Sequence, residues 1–92
     1  MLQAHVYISG FVQGVGFRAF VRSKARKMGI TGWVRNLSDG RVEAILQGDR
    51  KIILHLVALF KRGSFFSTTT DIVVDWEEQT EEFKEFTKLA TK

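Results

Sequence analysis

The chain has 92 residues, with 14 Lys and Arg against 10 Asp and Glu, for a formal charge of +4. That length suits one domain over 1–92 and leaves no room for two, and an apolar content of 45% is enough for one core. The lack of cysteine excludes a disulfide framework, a thiolate nucleophile and a cysteine-based metal site, while the basic excess favours anionic ligands without separating a phosphorylated metabolite from nucleic acid.

Leu2, Ala4, Val6 and Ile8 alternate with Gln3, His5, Tyr7 and Ser9, the period-two pattern of a half-buried strand that should end at Gly10. A turn over Gln13–Gly16 follows. Phe17, Phe20, Val21, Ala25 and Met28 then recur at spacings of three and four, the stripe of an amphipathic helix, with Gly29 as its stop. Ile30, Gly32 and Val34 predict a second strand. Asn36 to Gly40 predicts a hairpin turn with Asp39 and Gly40 in positive-φ conformations, and Val42, Ala44 and Leu46 a third strand. Asp49 is placed to cap a second helix that buries Ile52, Ile53, Leu56, Val57 and Phe60 and ends at Gly63. Ser64 to Thr70 reads as a loop and Ile72, Val74 and Trp76 as a fourth strand. Phe83, Phe86 and Ala90 have helical spacing, but the same stretch also fits a short edge strand. The order strand, helix, strand, strand, helix, strand is an α+β, ferredoxin-like split βαβ sandwich: an antiparallel sheet with two helices on one face. That fold hosts many functions and decides none of them.

Two stretches carry chemistry. In the first, Ile8 to Arg18, glycines at 10, 14 and 16 stand between a strand and a helix. Glycine conformations can turn successive N–H groups inward to form an anion nest, and the following helix start adds free N–H groups and the positive end of its dipole. Arg18 sits in the first helical turn, where a guanidinium can meet two phosphate oxygens at once. The plain alternative is a turn that needs glycine, with Arg18 solvated. The segment lacks the Lys-Ser/Thr ending of a Walker loop and the third glycine of a dinucleotide fingerprint. In the second stretch, Gly32 to Gly48, Asn36 ends a strand beside the hairpin. Its amide offers a donor and an acceptor, which suits holding a water, although asparagine before a turn also commonly satisfies backbone groups.

Together the two stretches resemble the two signatures of the acylphosphatase family. Residues 8–18 match the first at Ile8, Gly10, Val12, Gln13, Gly14, Val15, Phe17 and Arg18. Residues 32–48 match the second at Gly32, Trp33, Val34, Arg35, Asn36, Gly40, Val42 and Gly48. The resemblance implies hydrolysis of acyl phosphates to carboxylate and inorganic phosphate. It implies that Arg18 binds the phosphate, that the backbone of Gln13, Gly14, Val15, Gly16 and Phe17 cradles it, and that Asn36 positions the attacking water. It also implies no metal, no cofactor and a monomer. Gly63 to Thr70 departs from the glycine-proline linker usual in the family, and the tail after Glu78 lacks the clear alternating strand that normally closes it.

The chemistry is consistent with so few polar residues. A carboxylate leaves readily, with a conjugate-acid pKa of about 4, so no general acid is needed. Phosphoryl transfer rests on positioning and on stabilising equatorial charge. No general base stands out, so the substrate phosphate itself is expected to take the proton. His5 and His55 lie on separate elements, and two histidines without partnering acids make a poor metal site. Glu77, Glu78, Glu81, Glu82 and Glu85 read as solvated surface, and Trp33, Phe65, Phe66 and Trp76 as packing. The main competitor is a nucleic-acid module, but the third strand, Arg41 to Gln47, has none of the aromatics of an RNA-recognition sheet. A phosphate-binding domain without catalysis is a third reading. With no signal peptide over Met1–Gly10 and no apolar run near about 20 residues, a cytoplasmic protein with no membrane partner is expected.

Overall fold

The structure is a computed structural model that describes every residue from Met1 to Lys92. Its elements are β1 (Leu2–Phe11), α1 (Phe17–Lys27), β2 (Thr31–Asn36), β3 (Val42–Gln47), α2 (Arg50–Arg62), β4 (Thr68–Glu78) and β5 (Phe86–Lys88). The sheet order is β4-β1-β3-β2-β5. The first four strands pair antiparallel, as the split βαβ reading expects, and β5 adds a parallel edge to β2. The sheet is therefore mixed.

Period-two alternation gives the sheet one apolar face. Ala4, Val6 and Ile8 of β1 line up with Leu46, Ala44 and Val42 of β3, and all six are fully buried. Both helices cover this face, joining Phe17, Val21 and Ala25 of α1 and Ile53, Leu56, Val57 and Phe60 of α2 to the same core. Asp49 caps α2, its Oδ1 accepting from the N–H groups of Lys51 at 2.9 Å and Ile52 at 3.3 Å. Gly32 shows why β2 and β3 pack so closely. Its φ is +136°, and a Cβ there would sit 1.9 Å from the Ile45 carbonyl oxygen.

Several sequence expectations need correction. Strand β1 does not stop at Gly10; after a bulge between Ser9 and Gly10 it continues to Phe11, paired with Thr68. Residues 68–70 consequently belong to β4 and not to the preceding loop. In the β2–β3 hairpin only Gly40 has positive φ, at 98°. Asp39 instead uses its carboxylate to accept from the Arg41 backbone N–H at 3.0 Å and Nε at 2.8 Å, which fits a three-residue loop with glycine in the last place. Ile52 is 40% exposed, since its neighbour Ile53 takes the inward position. Phe65 and Phe66 do not pack into the core; they are exposed and stack edge to face on each other.

The tail settles as an edge strand. Phe86, with helical spacing in the sequence, is buried against the core. Backbone bonds run from Gly32 N–H to the Glu85 carbonyl, Leu89 N–H to Val34 and Lys92 N–H to Asn36, at 2.9, 2.8 and 3.0 Å. Two arginines of α1 also clamp it: Arg26 Nε donates to the Phe86 carbonyl at 3.2 Å and Arg18 donates to the Leu89 carbonyl at 3.0 Å. The spacings agree, because eight helical residues rise about 12 Å and three strand residues about 10 Å.

Phe86→Ala removes the side chain that anchors β5 in the core. Urea unfolding should show a loss of about 3–5 kcal/mol; a loss under about 1 kcal/mol, the level of a surface change, would mean that the tail is not docked as described.

Candidate active site

The turn Gln13–Gly16 reverses the chain from β1 into α1. Gly14 and Gly16 have φ of 75° and 77°, a left-handed conformation that side-chain-bearing residues rarely adopt. Gly16 is also the helix N-cap, and no side chain caps the N–H groups of α1, in contrast to Asp49 at α2. The first backbone bond of the helix runs from Phe20 N–H to the Gly16 carbonyl at 3.0 Å. The N–H groups from Gly14 to Ala19 make no backbone hydrogen bond, so they remain available to an anion beside the positive helix end.

A small cleft of about 100 Å³ opens over these groups. Its lining comprises Val12, Gly14, Gly16, Phe17, Arg18, Ala19, Asn36 and Lys88. Of the residues expected at the site, Gly14, Gly16, Phe17, Arg18 and Asn36 are thus brought together. Gln13 and Val15 do not line it. The Gln13 amide is turned toward the hairpin, where Nε2 donates to the Leu37 carbonyl at 2.7 Å and the Arg41 carbonyl at 2.8 Å. Val15 packs against the core. Gln13 therefore fastens the glycine turn to the loop that follows Asn36, and the two motifs hold a fixed separation.

Asn36 reaches the cleft from the end of β2. Its backbone is held by Lys92, yet its side chain makes no hydrogen bond within the protein, and it is only 8% exposed. Its Oδ1 is fully buried without a partner. Leaving a buried acceptor unpaired costs about 1–3 kcal/mol, and no contact within the protein offsets that cost. Arg18 is aimed by its bond to the Leu89 carbonyl. No acidic side chain lines the cleft. Sequence reasoning missed Lys88 and the Leu89 carbonyl, because both depend on the tail forming a strand. Of the wall residues, Val12 belongs to the first motif and Ala19 follows Arg18 directly, so both were within reach of the sequence.

A search against family models matches the acylphosphatase family over residues 4–88. An acylphosphatase of Roseiflexus sp. (strain RS-1) is 46% identical over 86 residues, covering 94% of this chain and 92% of that one. The crystal structure of acylphosphatase from Bacillus subtilis superimposes with a TM-score of 0.92 at 42% identity, over 97% of this chain and 99% of that one. A structure of full-length HypF, in its phosphate- and nucleotide-bound form, matches with a TM-score of 0.86 at 33% identity over 99% of this chain but 12% of that one.

A second polar cluster lies on the opposite sheet face, away from the cleft. His5 has carboxylates at both ring nitrogens: Nε2 meets Glu43, and Nδ1 lies 3.3 Å from Glu77. Arg35 Nε donates to Glu43 at 2.7 Å and its guanidinium covers Trp33. Glu77 also accepts from Gln3 at 2.9 Å. His5 therefore does have acidic partners, and Glu77 is not merely solvated surface; cross-strand registers His5↔Ile45 and His5↔Asp75 bring them close. Burial works against the charged form of Glu43, but the hydrogen bonds and charges of His5 and Arg35 outweigh it and hold the carboxyl below its ordinary value of 4.5. A carboxyl held low in the folded chain adds stability above its unfolded value and loses it as pH falls through the folded one. The stability advantage of the protein over Glu43→Gln, read from urea midpoints, should thus shrink as pH drops from about 6 to below about 4. An advantage constant over that range would remove the carboxylate from the account.

Proposed function

The chain belongs to the acylphosphatase family and is an enzyme that hydrolyses acyl phosphates, and from this premise we propose how its own residues carry the reaction. The phosphoryl group sits in the cleft over the α1 start, held by Arg18 and by N–H groups between Gly14 and Ala19. A water held by the Asn36 amide attacks phosphorus from the β2 side. The bond from phosphorus to the acyl oxygen breaks, and the carboxylate leaves with the electron pair. The proton of the attacking water passes to a phosphoryl oxygen, since no acidic side chain lines the cleft. The products are a carboxylate and inorganic phosphate.

The observation that carries this reading is the Asn36 amide: buried, with its Oδ1 unpaired, and facing the same small cleft as Arg18 and the uncapped helix end. Each group has one part. The guanidinium and N–H groups stabilise charge that grows on the phosphoryl oxygens. The amide fixes the water in line, which saves the entropy of finding it. Arg18 supplies the positive charge for this step, so turnover should persist with excess chelator. The opposite sheet face gives little support to a nucleic-acid platform. The rings of Tyr7 and Trp33 there are already covered by the guanidinium groups of Arg41 and Arg35, at 4.9 and 4.6 Å from the ring centres.

Steady-state hydrolysis of benzoyl phosphate, paired with a titration of inorganic phosphate, separates the two roles. Arg18→Ala should lower kcat/KM by at least about a thousandfold and weaken phosphate binding. Asn36→Ala should lower kcat by about a hundredfold or more and leave phosphate affinity within about twofold, because it removes water positioning alone. Equal losses of phosphate affinity in both variants would contradict this division. With the substrate as proton acceptor, kcat should show no enzyme pKa near neutrality. A sharp one that a single side-chain substitution abolishes would place a general base in the protein.

A further inference from the structure

We infer that Lys88 is a second cationic ligand of the phosphoryl group, facing Arg18 across the cleft. This rests on the hydrolytic reading above and names a residue outside both motifs. Strand β5 runs parallel to β2 with Lys88 opposite Val34, two residues before Asn36 on the same helix-covered face. The next residue, Leu89, is tied on both sides: its N–H donates to the Val34 carbonyl at 2.8 Å and its carbonyl accepts from Arg18 at 3.0 Å. The position of Lys88 is therefore set by the same bonds that aim Arg18. Lys88 lines the cleft together with Gly14, Gly16, Arg18 and Asn36. No carboxylate of the chain forms an ion pair with it.

The charge balance favours such a role. A phosphoryl group near neutrality carries between about one and two negative charges, its second pKa being about 6. Arg18 matches one of them in a planar, two-point fashion, and an ammonium on a flexible stem balances the other as a point charge. Lys88 is exposed, so it can follow the phosphoryl group as product leaves.

Calorimetric titration with inorganic phosphate tests this on the whole chain, beside hydrolysis of acetyl phosphate. Lys88→Gln should weaken phosphate binding and raise KM by about tenfold, the effect of losing one charge-assisted hydrogen bond, with a smaller change in kcat. Lys88→Arg, which keeps the charge, should recover most of both. Lys84→Gln removes the same charge beside Gly29 at the far end of α1 and should change neither. Unaltered phosphate affinity in Lys88→Gln, or equal losses in Lys84→Gln, would overturn the assignment. A wild-type chain that binds phosphate but hydrolyses nothing would sink the mechanism proposed above instead, and the phosphate titrations would still decide the role of Lys88.

Discussion

The structure depends on one uncapped turn. Between β1 and α1 the chain must reverse within a few residues, and it does so with Gly14 and Gly16 in left-handed backbone. Because the residue at the helix N-cap is Gly16, no side-chain oxygen closes the first turn of α1. A serine or aspartate there would satisfy the same N–H groups that hold the phosphoryl group in the proposed mechanism. Leaving them free concentrates partial positive charge at one spot, with Arg18 two residues beyond Gly16. The other groups of the site are arranged around that spot. Gln13 anchors the turn to the β2–β3 hairpin through two carbonyls, and Asn36 at the root of that hairpin supplies the amide.

The second dependence runs through the C-terminal strand. Arg18 and Arg26 lie eight residues apart on α1, and their respective acceptors, Leu89 and Phe86, lie three apart, Phe86 opening β5 and Leu89 following its last residue. Helix rise and strand rise nearly match over that span, so the strand is laid along the helix like a splint. Phe86 provides the adhesion by burial, the two arginines provide the register, and backbone bonds to β2 continue past the end of β5 as far as Lys92. A site that looks complete in two motifs near the N-terminus is in fact oriented by the last seven residues.

Much of this was legible in the sequence, and the exceptions have physical causes. Val6, Ala44 and Leu56 announce their burial by period. Asp49 announces its helix by chemistry. The chemistry of Arg18 and Asn36 follows from residue types beside glycine turns, and the match to two long motifs adds the family. The tail was ambiguous because Phe83, Phe86 and Ala90 fit a helical period, while the short strand β5 takes its structure from pairing with β2. That is a tertiary decision that local spacing does not record. Lys88 was hidden with it. The triangle of His5, Glu43 and Glu77 was invisible for a related reason: its members come from three strands and meet only through register. Gln13 was assigned to the cradle through its backbone, and the second use of its side chain, on two carbonyls of the β2–β3 hairpin, was not legible because those acceptors lie on another element.

In the proposed mechanism a water aimed by Asn36 attacks phosphorus in a cradle of backbone N–H groups and Arg18. Hydrolysis of benzoyl phosphate in water enriched in oxygen-18, analysed by mass spectrometry of both products, tests it most directly. The mechanism predicts one labelled oxygen in inorganic phosphate and none in benzoate. Label in benzoate would mean attack at the acyl carbon, and the cleft over α1 would then be a binding site for the phosphate but not the place where water is held.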